Sequence, residues 1–265
     1  MAREQYKDTA RPRRFARDLP SPVPPHPADA LLTPERRQVF RQVLARRCRR
    51  LVVVVENCHD PHNATAVIRT CDCFGLHRVH VTTDRSRFKI NRRVSQGSHR
   101  YVDLRVHNDI TEACAELRSD GYRILVSDLS ETAVIGPQRL TAMLAEQPLA
   151  LVFGSEGFGV SEAASAGADG HFLIPMAGFA QSLNLSVSVA TSVYALRSEA
   201  LAADAPGDLD PAEQCFWYEA WVRAQRGAAA ERLIAQAPDH LPPPDPRARL
   251  ETDRRGEELE SYGAP

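Results

Sequence analysis

Ile174-Pro-Met-Ala-Gly-Phe-Ala-Gln-Ser-Leu-Asn-Leu-Ser-Val-Ser-Val-Ala190 decides how this chain is read. Residues 171–176 are apolar enough for a strand. Pro175 and Gly178 break it. From Ser182 the composition becomes that of a buried helix running to about residue 200, and Gln181, Ser182 and Asn184 stand at the join. The first backbone N–H groups of a helix lack intrahelical partners. Polar side chains there either cap the helix, with Ser182 as the cap, or build a ligand site. The stretch alone leaves both open.

Upstream, strand and helix patterns alternate. Leu51-Val-Val-Val-Val55 is a β-branched run that suits a strand buried on both faces. Residues 63–74 have helical spacing, with Ala66, Val67, Thr70 and Phe74 toward a core and Gly75 as the stop. Strands are expected at 77–81, 122–127 and 149–153, and helices at 108–119, 137–145 and 161–166. This alternation defines an α/β protein with a mainly parallel sheet. Gly154-Ser-Glu-Gly-Phe-Gly159 follows a strand but is neither a Walker A loop nor a dinucleotide fingerprint. Ligands of open α/β sheets bind outside the carboxyl ends of the strands. Ser127, Gly154 and 174–176 all lie at such ends.

The chain has 265 residues, 43% hydrophobic and 25% charged, enough for one substantial domain with appendages. It carries no apolar run of about 18 residues and no signal-peptide core, so the cytoplasm is the expected compartment. Six cysteines match no zinc spacing and read as reduced. Net charge is −1, yet residues 1–50 hold thirteen Lys/Arg against five acids, an excess that favours a polyanionic partner. Residues 1–33 read as a flexible, basic, Pro-rich arm, and 34–50 as a helix with exposed arginines, opened by Thr33 and Pro34. The loop 83–100 forms a second basic patch. After residue 205 comes a helical extension whose aromatics, Phe216 to Tyr218 and Trp221, favour docking on a core. Pro and charge dominate from 238, a composition that favours disorder.

Asn63 opens a helix, where its ordinary role is capping. Arg69, between Ile68 and Thr70, needs a partner if buried: a structural acid, a ligand phosphate or a developing oxyanion. Asn57-Cys-His-Asp-Pro-His-Asn63 with Arg69-Thr-Cys-Asp72, Val152-Phe-Gly-Ser-Glu156, and Ile174-Pro-Met with Gln181-Ser-Leu-Asn-Leu-Ser-Val-Ser-Val189 resemble the three motifs of the SPOUT RNA ribose methyltransferases. The likeness is greatest to the TrmH type, the tRNA guanosine-18 2′-O-methyltransferases, and it spans residues 36–200 in order. Gly97-Ser-His99 and Leu104-Arg-Val-His107 resemble that type as well.

The resemblance implies a C-terminal deep trefoil knot, a homodimer with its site at the interface, RNA as substrate and S-adenosylmethionine as methyl donor. Carried over, it makes Arg69 catalytic, with Asn63, Glu156, Ser182 and Asn184 beside it. The donor would lie against Ser127, Gly154, Ile174, Met176 and Leu183. Ser127 stands where Thr is usual in the family, and the 1–33 arm is longer than its pattern needs. A guanidinium whose pKa lies above about 12 is a poor general base. Arg69 is therefore expected to stabilise the forming alkoxide and grip the adjacent phosphate, while the RNA meets the helix 34–50 and the loop 83–100. Two other readings share these motifs: the same chemistry on ribosomal RNA, and a non-catalytic RNA-binding protein that keeps the fold.

Overall fold

The computed structural model describes residues 15–58, 60–83 and 90–246. After a 3-10 turn at Pro27–Leu31 comes α1 (Pro34–Leu44), capped by Thr33, whose hydroxyl accepts the Arg36 N–H. Then β1 (Leu51–Glu56), α2 (Pro61–Cys73), β2 (Arg78–Thr82), α3 (Arg92–Ser95), β3 (Asp103–His107), α4 (Ile110–Ser119) and β4 (Arg123–Ser127) alternate. The series continues with β5 (Val134–Ile135), α5 (Thr141–Glu146), β6 (Leu149–Phe153), α6 (Glu162–Ala166), β7 (Gly170–Leu173) and α7 (Leu185–Ala202). The seven strands form one sheet in the order β3-β2-β1-β6-β4-β7-β5, and every pairing is parallel.

The sheet is covered on both faces, which is why β1 is buried along its whole length. Val53, Val55, Leu151 and Phe153 pack with the buried faces of α2 and α7. Val52, Val54, Ala150 and Val152 pack with α4 and with Ala164 of α6.

Several expectations need correction. The strand at 171–176 ends at Leu173, before Pro175. The last long helix begins at Leu185, and its cap is Asn184, which accepts from the N–H groups of Ser186 and Val187. Ser182 lies two residues outside that turn. Asn63 is not a cap either: Asp60 caps α2, accepting from the His62 N–H. The strand β3 had no apolar run to announce it. Its Asp103 pairs with Arg78 at 2.8 Å and Arg105 at 3.0 Å, and its His107 Nε2 meets His80 Nδ1 at 2.9 Å. Local pairing lets polar residues occupy a buried strand.

The region expected to be a flexible arm is packed where it is described, from residue 15 on. Val23, Ala28 and Leu32 are buried against Phe40 and Leu44 of α1. Trp217, Tyr218, Trp221 and Val222 of α8 (Pro211–Arg226), and Ala230 and Ile234 of α9 (Ala228–Ala235), complete this second core. The aromatics dock as their composition suggested. The Ala28 N–H donates to His26 Nδ1, so Nε2 of that ring carries the proton and donates to Glu219 (3.2 Å). His240 shares the same carboxylate oxygen at 2.7 Å. The cluster is thus a hydrogen-bonded clamp between the two ends of the described chain. Residues 1–14 and 247–265 lie outside the described residues, as do 84–89 of the expected basic loop.

The arginines expected to be exposed on 34–50 are mostly engaged. Arg41 pairs with Asp29 (3.1 Å), Arg46 with Asp204 (2.6 Å) and Arg49 with Glu213 (3.1 Å). Arg47 is wholly buried, bonded to Asp72 at 2.6 Å and to the carbonyls of Leu76 and Tyr101. Their acids lie up to 164 residues away in sequence, so a local charge count cannot see them. All six cysteines are free. Among the described residues no helix is long and apolar enough to cross a membrane.

His77 sits in this fold fully buried, edge-on to Trp217, and burial pushes its pKa down to about 3. A histidine held neutral contributes stability that is complete above its unfolded pKa, near 6.5, and is lost as pH falls below that value. Urea unfolding from about pH 7 to about pH 5 should therefore cost the parent about 2 kcal/mol more than it costs His77→Phe. Parallel losses in the two proteins would remove His77 as the cause.

Candidate functional site

The strands β6, β4 and β7 are neighbours, with Val152 beside Val126 and Ser127 beside Phe172. Gly154, Ser127 and Ile174 therefore emerge together at the carboxyl edge, the place where ligands bind such sheets. Gly154 is required by its surroundings. A Cβ there would stand 2.0 Å from the Gly159 carbonyl group. That close approach exists because the turn folds back: Ser155 N–H donates to the Gly159 carbonyl (3.0 Å), and Gly159 N–H to the Ser155 carbonyl (2.8 Å). Gly159 takes a positive φ of 68°, open to glycine at little cost.

This closed turn presents Glu156 to two helices. Glu156 Oε1 accepts from Asn63 Nδ2 on α2 (3.0 Å) and from the backbone N–H of Leu185, the first residue of α7 (3.2 Å). It also accepts from Asn184 Nδ2. Asn184 Nδ2 reaches Asn63 Oδ1 as well, at 3.2 Å. The orientation of the Asn184 amide is fixed, because its Oδ1 caps α7 by accepting from Ser186 N–H at 2.9 Å. The carboxylate thus sits at the positive end of an 18-residue helix. The sequence had offered capping, by Ser182, and site-building as alternatives for this join; the cap is Asn184, and the same side chain joins the Glu156 junction.

The remaining expected residues stand apart from this trio. Arg69 is exposed, because the buried face of α2 is Ala64, Thr65, Val67, Ile68 and Cys71. Its Nη1 donates to the Val94 carbonyl at 3.3 Å, and because water reaches the side chain its charge needs no structural acid. Exposed Arg92, Arg93 and Arg100 occupy the same neighbourhood of α3 and the turn after it. Asn91 fastens that region to α2, its N–H donating to Thr65 Oγ1 at 3.0 Å. Ser182 is exposed, as are Met176, Phe179 and Leu183 on the segment between β7 and α7.

Sequence reasoning missed Glu56 and Ser161. Glu56 ends β1 and is 2% exposed. Both its oxygens accept from Ser161, one from the hydroxyl (2.5 Å) and one from the backbone N–H (2.9 Å). The available signal was an acid closing an otherwise apolar strand at the ligand-binding edge.

Comparison with known proteins places this fold among the RNA methylases. Residues 50–194 match the SpoU rRNA Methylase family, and the chain belongs to that family. It is 39% identical over 171 residues to the tRNA (guanosine(18)-2′-O)-methyltransferase of Thermus thermophilus, covering 64% of this chain and 86% of that protein. The A. aeolicus TrmH/SpoU tRNA modifying enzyme superposes with a TM-score of 0.65 at 28% identity, over 72% of this chain and 97% of that one. The SpoU methyltransferase AviRb of Streptomyces viridochromogenes, solved with AdoMet, shares the fold: TM-score 0.51, 22% identity, 57% and 60% coverage.

Gly154→Ala should destabilise the protein by about 1–3 kcal/mol in urea unfolding, because a Cβ there cannot be housed without opening the turn. Gly157→Ala, whose Cβ meets nothing within 4 Å, should stay within about 0.5 kcal/mol of the parent. Equal effects would mean the closed turn is not what Gly154 secures.

Proposed function

We propose that this chain transfers a methyl group from S-adenosylmethionine to the ribose 2′-hydroxyl of guanosine 18 in tRNA, as a cytoplasmic homodimer with a trefoil-knotted core. The observation that carries this reading is the convergence of Asn63, Glu156 and Asn184, from three separate motifs, on one hydrogen-bonded junction at the ligand-binding edge of the sheet. Family membership supports the chemistry, and the name of the Thermus relative supports the nucleotide.

The residues at the edge fit the donor. Gly154, Ser127 and Ile174 bring three neighbouring strand ends to the edge, and Met176 and Leu183 offer apolar contact. When bound, S-adenosylmethionine supplies an electrophilic methyl group with its leaving group attached. The protein's task is then to align the ribose and manage one proton. Arg69 grips the phosphate beside the target ribose and stabilises the forming alkoxide, and that phosphate relays the 2′-hydroxyl proton away; the fork geometry of Arg69 suits the grip. Asn63 and Asn184, held by Glu156, set the distance between α2 and the loop carrying Ser182, which faces the ribose. Exposed Arg92, Arg93 and Arg100 extend the cationic surface from Arg69, whereas most arginines near α1 are engaged internally.

The dimer reading rests on α7. Val187, Tyr194 and Leu201 are 46%, 57% and 40% exposed and recur every seven residues, one stripe on the helix. A second copy would supply the burial that this apolar stripe lacks.

Transfer from labelled S-adenosylmethionine to a tRNA transcript, followed by nucleotide mapping, tests the proposal. Label at guanosine 18, absent when that ribose is 2′-deoxy, is expected. Label on ribosomal RNA alone would replace the substrate, and donor binding without transfer would favour a binding protein. Changing Arg92, Arg93 and Arg100 together to Ala should reduce the salt slope of tRNA binding by about 2. An unchanged slope would place the RNA elsewhere.

A further inference from the structure

Glu56 is a charged group buried in the middle of the sheet, and the mechanism above does not use it. Val55 pairs with Phe153, so Glu56 is the next residue along β1 beside Gly154 on β6. It follows Val52 and Val54 in the strand alternation, and so points to the face covered by α4 and α6. There it is 2% exposed, and no ion pair to it occurs among the described residues. A buried carboxylate without a counter-ion is costly unless donors converge on it. Both donors come from one residue, Ser161, through its hydroxyl at 2.5 Å and its N–H at 2.9 Å. The Ser161 hydroxyl also caps α6, accepting from the Ala164 N–H at 3.0 Å.

Ser161 is where the glycine-rich turn ends. The turn leaves β6 at Gly154, closes on itself between Ser155 and Gly159, and is pinned at Ser161 by Glu56. Between those fixed points stands Glu156, which reaches to the opposite side of the sheet to join Asn63 and Asn184. We infer that Glu56 is a positioning residue for methyl transfer, acting through Ser161 to hold the turn that aims Glu156 at the junction of α2 and α7. This inference rests on the proposed function for its kinetic consequence, while the clamp itself is a property of the fold.

The full-length protein tests it by hydrogen exchange and kinetics on the same variants. Glu56→Ala should speed amide exchange at 155–160 and lower kcat at least tenfold, with KM for RNA changed less than twofold. Glu56→Gln should restore most of the loss, since its amide oxygen can accept the Ser161 N–H and its NH2 can donate to the hydroxyl. On a Glu156→Ala background, Glu56→Ala should cost nothing further, because the group it positions is gone. Ser161→Ala, which removes the hydroxyl's bonds to Glu56 and to the α6 cap but keeps the N–H bond to Glu56, gives the same direction of change should Glu56→Ala fold poorly. Parental exchange and kcat in Glu56→Ala or Ser161→Ala, or a loss that multiplies with Glu156→Ala, would overturn the inference. If the parent methylates no RNA, the proposed function fails, and the exchange rates alone decide the clamp.

Discussion

One carboxylate oxygen, Oε1 of Glu156, joins the parts of this protein that chain order keeps apart. It takes donors from α2, from the first residue of α7 and from the side chain that caps α7. The partners lie 93, 28 and 29 residues away. Hydrogen bonds to an ionised acceptor are among the stronger ones. A junction of this kind tolerates little displacement of any contributor. It explains why the turn after β6 is so rich in glycine, why α7 begins at Leu185, and why α2 must begin early enough to place Asn63 in its first turn.

The parallel sheet makes that junction possible. Parallel strands all end on the same edge, so each strand-to-helix connection delivers its polar residues to one side of the molecule. Neighbouring β6, β4 and β7 deliver Gly154, Ser127 and Ile174. Glu56, at the end of β1, works on the far face to hold the turn whose Glu156 works on the near one. The charged groups elsewhere obey a different logic: Arg46, Arg47 and Arg49 bind the N-terminal segment and the C-terminal helices to the body.

Much of this was legible in the residues. The unbroken valines of β1, the helical spacing of α2 and the glycines at 154–159 each carry a local signal. Together they announce an α/β protein with a ligand edge. The motif resemblance supplied the trio Asn63, Glu156 and Asn184. What stayed hidden depended on partners distant in sequence. The arginines near α1 looked free because Asp204 and Glu213 come far downstream. β3 went unassigned because its charged residues, neutralised by pairing with partners on this and the next strand, break the apolar pattern. Arg69, deep in a helix packed on the sheet, looked in need of a partner, although the helix turns it to solvent. Ser182 looked like the cap because the helical composition begins at it, whereas Asn184 has the position to meet the N–H groups of Ser186 and Val187.

The carboxyl edge formed by β6, β4 and β7, beside the Glu156 junction, is the proposed seat of the methyl donor. A crystal structure of the protein with S-adenosylmethionine measures this directly. The donor is expected against the backbone of Gly154 and Ile174, with its methyl group directed toward the side of the edge that carries Ser182 and Asn184. A donor bound at the opposite edge of the sheet, or in the helical layer formed by α1, α8 and α9, would contradict it.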